Sequence, residues 1–149
     1  MPIFIHGWLE ITGTHGPDQA ESWAWRGVVN VGNVLIDEAD AIAEHLFGFS
    51  KRAISAGDVG LVGGRGIPGN LSAEARAELA AEIDALGAGQ SVESGGHTSA
   101  AWHEVASVGL PEEELAVSRW RTVFALAGVL VREGGLSPSQ VRLVVWYSW

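Results

Sequence analysis

At 149 residues, 47% hydrophobic and 18% charged, the chain has the length of one domain and buries roughly 70% of its unfolded surface. A net charge of −9 argues against a nucleic-acid backbone binder, which needs a basic stripe. With no cysteine in the sequence, disulfides, thiolate metal sites and thiol nucleophiles are excluded as well.

No apolar run is long enough to span a bilayer. Met1-Pro2-Ile3-Phe4-Ile5 lacks the basic start and apolar core of a signal peptide, so a cytoplasmic protein that does not engage a membrane is expected. Residues 1–149 are read as a single globular domain.

The first element alternates. Ile3, Ile5, Leu9 and Ile11 mark one face of a strand, and Phe4, His6, Trp8 and Glu10 mark the other, which is the period of an extended chain. The odd face is expected on helices and the even face on solvent or a site. Gly13 to Glu21 reads as a polar turn. Trp23 to Val31 reads as a second strand hairpinned to the first, with Val34 to Ile36 as an extension. Asp37 is the expected N-cap of a helix through Ile42, Leu46 and Phe49, with Glu38 and Asp40 in its first turn.

Ser50 to Asn70 is a long glycine-rich connection. Asn70 or Ser72 is expected to cap a helix burying Leu79, Ile83 and Leu86 and stopping at Gly87. Ala88 to Gly96 reads as a second loop, and His97-Thr98-Ser99 as the opening of a short helix through Trp102 and Val105. Pro111 followed by Glu112, Glu113 and Glu114 has the composition of a helix start. That helix runs along the stripe Trp120, Val123, Phe124, Ala127, Leu130, Val131 to Gly134-Gly135. Val141 to Tyr147 is apolar on both faces, the mark of a central, covered strand. The expected fold class is α+β, a small, mostly antiparallel sheet of two N-terminal strands plus the C-terminal strand with about four helices packed on it.

Two segments carry candidate chemistry. Gly64-Arg65-Gly66-Ile67-Pro68-Gly69 has the form G-x-G-x-x-G, but a dinucleotide site needs free N–H groups at a turn leading straight into a helix. Pro68 removes one donor and the helix starts later, so a loop needing unusual backbone angles, or one that holds Arg65 toward an anion, is the better reading. The second is His97-Thr98 through Trp102-His103-Glu104, where His97 or His103 with Glu104 has the makings of an acid–base pair, against the plainer reading of a helix cap. No zinc-type spacing and no G-x-S-x-G elbow is present. No metal and no cofactor is expected.

Gly64-Arg65-Gly66-Ile67-Pro68, His97-Thr98…Trp102, Arg119-Trp120-Arg121-Thr122-Val123-Phe124 and the closing Val141-Arg142-Leu143-Val144-Val145-Trp146-Tyr147 together resemble small uncharacterised proteins of phage and actinobacterial genomes. In that group an R-G-[IL]-P turn, an H-[ST]-x-x-W-like segment and a V-R-L-V-V-W-[FY] strand recur. The resemblance spans about Ile36 to Tyr147, although the spacing from His97 to Trp102 is one or two residues longer here. It implies interest in Arg65 and His97 and brings no activity with it.

Three functional readings stay open. The first is a binding domain for a small anionic or nucleotide-like ligand. In it Gly64, Arg65 and Gly66 join the 97–104 segment, with His6, Trp8 and Trp102 lining the pocket. The second is a small enzyme in which His97, His103 and Glu104 (or Glu10) supply acid–base chemistry and Arg65 stabilises negative charge. The third is an interaction or self-assembly protein, a homodimer formed through the C-terminal aromatics Trp146, Tyr147 and Trp149.

Overall fold

The computed structural model describes residues 2–13, 24–37, 39–87 and 94–149. The expected polar turn at 14–21, Trp23, Glu38 and the loop 88–93 lie outside the described residues, as do the side chains of Ile83 and Leu86.

Four strands form one antiparallel sheet in the order β2-β1-β4-β3. They are β1 (Phe4–Thr12), β2 (Trp25–Asn30), β3 (Ser94–Ala101) and β4 (Val141–Ser148). Between them run α1 (Val31–Val34), α2 (Ala41–Phe47), α3 (Lys51–Ala56), α4 (Ala73–Gly87), α5 (Trp102–Ala106), α6 (Glu112–Ala116) and α7 (Trp120–Arg132), with a 3-10 turn over Pro138–Gln140. The fold is therefore α+β with helices packed on a small antiparallel sheet. Among the described residues no helix is long and apolar enough to cross a membrane.

Alternation in β1 decides the layering. Ile3, Ile5 and Leu9 are buried on the same side as Val141, Leu143, Val145 and Tyr147 of β4. This face meets Val31, Ile42, Leu46, Phe47, Val105, Trp120 and Val123 from the helices in one core. The other face carries Trp8, Val144 and Trp146 and is met by Leu79 of α4 in a second, small cluster. Gly7 sits in the central β1–β4 pair, where a Cβ would fall 2.2 Å from the Val144 carbonyl oxygen. A side chain there is sterically excluded.

Several boundaries differ from the sequence reading, each for a physical reason. The segment His97 to Ala101 is strand, not the start of a helix. Gly95, Gly96, Ala100 and Ala101 have weak strand preference, yet the free edge of β4 supplies a ladder and pairing decides. Gly95 and Gly96 leave the room that Tyr147 fills, since a Cβ would lie 2.9 Å from its hydroxyl oxygen at Gly95 and 2.6 Å from its ring at Gly96.

Val31 to Val34 is a helical turn capped by Asn30, whose side chain accepts from the Asn33 N–H at 3.1 Å, so it does not prolong β2. The N-cap of α2 is Asp40, accepting from Ile42 and Ala43, while Asp37 takes the Arg119 Nε–H at 2.7 Å. Part of the expected 50–70 loop is α3, capped by Ser50. The long helix expected from Pro111 breaks at Val117 to Arg119, because the Ser118 hydroxyl bonds to Asp40 and Arg119 bonds to Asp37. Those bonds hold the turn against α2.

The deepest polar feature is an ion pair. Arg142 Nε donates to Glu10 Oε1 at 2.6 Å, and Glu10 Oε2 accepts the Ser72 N–H at 2.8 Å. Arg142 also donates to the Asn70 side chain at 2.8 Å and to its carbonyl at 2.9 Å, and lies 4.0 Å from the Trp25 ring centre. Glu10 is fully buried and Arg142 nearly so. Arg142→Met leaves an unpaired buried carboxylate and is expected to cost about 3–5 kcal/mol in urea unfolding, with Glu10→Leu/Arg142→Met costing clearly less. A single-variant cost below about 1 kcal/mol would mark the pair as solvent-screened.

Candidate functional site

The second face of the sheet, under α4, gathers His6, His97, Glu78 and Glu82 close to one another. Register places His6 of β1 opposite Trp146 of β4, and the irregular β3–β4 pairing between Gly95 and Thr98 brings His97 to the other side of Trp146. The three rings form a row. Centroids are 5.9 Å apart for His6–Trp146 and 6.0 Å for His97–Trp146, with interplanar angles of 19° and 16°.

Helix α4 closes over this row with carboxylates. Glu74, Glu78 and Glu82 recur every four residues and therefore share one helical face. Glu74 Oε2 accepts the Gly27 N–H at 3.1 Å. Glu78 Oε2 accepts the Trp8 indole N–H at 2.7 Å, and Glu82 Oε1 accepts that of Trp146 at 2.8 Å. These bonds fix the helix on the sheet, the two to indole N–H groups being short, as suits a carboxylate acceptor. The other Glu78 oxygen, Oε1, lies 3.8 Å from His6 Nδ1, and Glu82 Oε1, the oxygen that accepts from Trp146, lies 4.0 Å from the same nitrogen. Glu82 Oε2 is buried with no hydrogen-bond partner among the described residues. On its other side, His6 Nε2 lies 2.6 Å from Ser148 Oγ.

The seam opens beside His6. A cleft of about 310 Å³ is walled by Phe4 and Ile36 on its apolar side and by His6, Asn30, Asn33 and Glu78 on its polar side.

The residues singled out from sequence are placed differently from one another. Gly66 N–H donates to the His97 carbonyl at 2.9 Å, and Arg65 N–H to the Thr98 hydroxyl at 3.3 Å, so the glycine-rich loop runs against β3. That covers a sheet edge, a position natural sheets protect. Positive φ at Gly64 and Gly66 (73° and 81°) matches the reading of a loop that needs unusual backbone angles, and among the described residues every strand pairing is antiparallel, unlike the parallel sheet of a dinucleotide fold.

Arg65 and His97 are thus neighbours in backbone but not in side-chain partners. Arg65 Nη1 donates to Glu104 Oε2 at 2.8 Å and to the Ser99 carbonyl at 3.4 Å. The pair draws the Glu104 carboxyl below its usual range, chiefly through that hydrogen bond. Glu104 also accepts the Ala101 N–H at 3.0 Å, so it ties the loop to the corner between β3 and α5.

The expected acid–base grouping of His97, His103 and Glu104 is not assembled. His97 is on a strand against Trp146, His103 is exposed on α5, and Glu104 is held by Arg65. Trp102 is core, edge-on to Phe124 at 5.1 Å, and so is not a pocket wall. His6 and Trp8 are at the seam. Ser148, Glu78 and Glu82 belong to it without having been singled out. Their one sequence signal is the four-residue spacing of glutamates on α4, a pattern that ordinarily marks a solvated face. Among the described residues no group of three or more ligating side chains is arranged to hold a metal ion.

No protein-family model, curated protein or solved structure matches this chain.

Burial lowers the pKa of His97, and the charge of Glu82 opposes that in part. A histidine whose folded pKa is depressed is neutral in the native state while the unfolded chain takes up a proton below about 6.5. Stability is full above that pH and is lost as pH falls through the unfolded value toward the folded one. Between pH 8 and pH 5 the stability of His97→Asn is expected to fall less steeply than that of the parent, measured by denaturant unfolding at each pH. Equal slopes would mean His97 titrates as it does in water.

Proposed function

We propose that the chain is a small-ligand binding domain, and that its ligand enters the cleft beside His6 and meets Glu78. The observation that carries this reading is the juxtaposition, at one open cleft, of an apolar wall with a convergent polar group of two amides, an imidazole and a carboxylate. That combination is typical of small-molecule sites.

The ligand class follows from the charges. Glu78 borders the cleft, Glu82 lies behind it, and the chain is strongly acidic. A ligand presenting an ammonium or amidinium group suits this field, with a flat or aliphatic body resting on Phe4 and Ile36. The anionic or nucleotide-like ligand expected from Arg65 is less well served, since that guanidinium is already paired with Glu104.

A second reading, catalysis, is favoured by one observation. Ser148 Oγ lies 2.6 Å from His6 Nε2, and the Glu78 carboxylate stands 3.8 Å from the ring's other nitrogen, Nδ1, longer than a hydrogen bond; this is the order of hydroxyl, base and acid found around an activated nucleophile. Covalent labelling of Ser148 by a fluorophosphonate, lost in His6→Gln, is the outcome that would make the site an enzyme's.

For the binding reading the measurement is a thermal-shift series with benzylamine and benzamidine against nucleoside phosphates, on the parent and Glu78→Gln. Glutamine keeps an acceptor for Trp8 while removing the charge. A ligand at about 100 times its Kd adds about 2.7 kcal/mol, several degrees for a domain of this size. That shift is expected for the amines and is expected to vanish in Glu78→Gln. Shifts from phosphates alone, or amine shifts unchanged in the variant, would overturn the assignment.

A further inference from the structure

A second, chemically different cleft lies on the opposite face of the sheet. Its volume is about 290 Å³ and its walls are Ile3, Lys51, Ile54, Ser55 and Trp149. Two features set its character. Lys51, Ile54 and Ser55 are spaced i, i+3 and i+4 on α3, so one helical face presents an ammonium, an aliphatic side chain and a hydroxyl to the same space. Facing them is Trp149, which is not left to swing. Its ring stacks on Tyr147 at 5.1 Å and 15°, and Tyr147 in turn meets Phe49 edge-on at 5.1 Å. A row of aromatic rings rooted in the core thus fixes one wall as a flat, rigid plane.

Lys51 is the only lysine in a chain of net charge −9, and no ion pair links it to a described residue. Arg52, Arg65, Arg119 and Arg142 each pair with a carboxylate, whereas Lys51, like Arg26, Arg76, Arg121 and Arg132, has no such partner among the described residues; of these, Lys51 lines this cleft. An unpaired cation at the mouth of an otherwise apolar cleft matches a molecule with a flat apolar body and one carboxylate.

We infer that this cleft is a second ligand site, independent of the His6 seam, for small aromatic carboxylic acids. The ring lies on Trp149 between Ile3 and Ile54. One carboxylate oxygen faces the Lys51 ammonium and the other reaches the Ser55 hydroxyl. A volume near the lower end of the roughly 300–1,000 Å³ typical of ligand pockets limits the body to one or two fused rings.

The test is calorimetric and fluorescence titration with 2-naphthoate, against 2-naphthamide as its neutral counterpart. The proteins are the parent, Lys51→Met, Ile54→Glu and Glu78→Gln. Lys51 is exposed, so its replacement leaves the core untouched. Expected results are tryptophan quenching by 2-naphthoate in the parent and at least about tenfold weaker binding of the amide. A similar loss is expected in Lys51→Met, with no binding in Ile54→Glu. Glu78→Gln is expected to bind as the parent does, which separates this cleft from the seam. Absence of binding to the parent, equal affinity for acid and amide, or undiminished affinity in Lys51→Met would each overturn the inference.

Discussion

The Glu10–Arg142 pair is the constraint around which the second face of the sheet is assembled. Burying a carboxylate and a guanidinium is costly unless both are fully bonded. Here the partners that satisfy them come from separated parts of the chain: Asn70 and Ser72 from the turn before α4, Trp25 from β2, and the two central strands themselves. Satisfying the pair therefore brings the start of α4 to the sheet. Once that end is fixed, the helix can lie in few directions, and its glutamates fall over Gly27, Trp8 and Trp146 in turn. The His6–Trp146–His97 row is covered as a consequence.

The two faces of the sheet are thus held by different physics. On the first, aliphatic and aromatic side chains from α1, α2, α5 and α7 bury apolar surface, the non-directional term that dominates folding. On the second, a single helix is docked by charge-assisted hydrogen bonds to indole N–H groups, and among the described residues Leu79, with Leu71 just before the helix, adds apolar contact to the sheet. Directional bonds hold a helix without filling every space, so carboxylate oxygens and imidazoles remain available at the seam. A ligand site is easier to accommodate there than in the densely packed first face.

The glycine-rich loop takes a structural part in this picture. Its backbone packs closely on α2: a Cβ at Gly60, at φ 66°, would lie 2.7 Å from the Leu46 carbonyl carbon. The loop then runs along β3 and is pinned by Arg65 to Glu104. A segment rich in glycine and carrying one arginine has the look of a phosphate cradle, but the same composition serves a chain that must approach other backbone on two sides.

Much of the fold was legible in the sequence because it rests on local periodicity. The alternation of Ile3 to Ile11, the helical stripe from Trp120 to Val131 and the two-sided apolar run Val141 to Tyr147 each report their own burial, and these fixed the α+β class, the layering and the central place of β4. What tertiary structure decided are the elements whose sequence preference is weak or opposed. Ser94 to Ala101 is a strand only because β4 offers an edge and Tyr147 fills the space over its glycines. The break at Ser118 exists only because Asp40 and Asp37 stand opposite. The site was the least legible part. Ser148 and His6 are 142 positions apart, and Glu74, Glu78 and Glu82 read alone as a solvated face until the sheet beneath them presents indole and backbone N–H groups. A sequence states what each residue prefers; which donors and acceptors it will find is set by the packing of chain segments far apart along it.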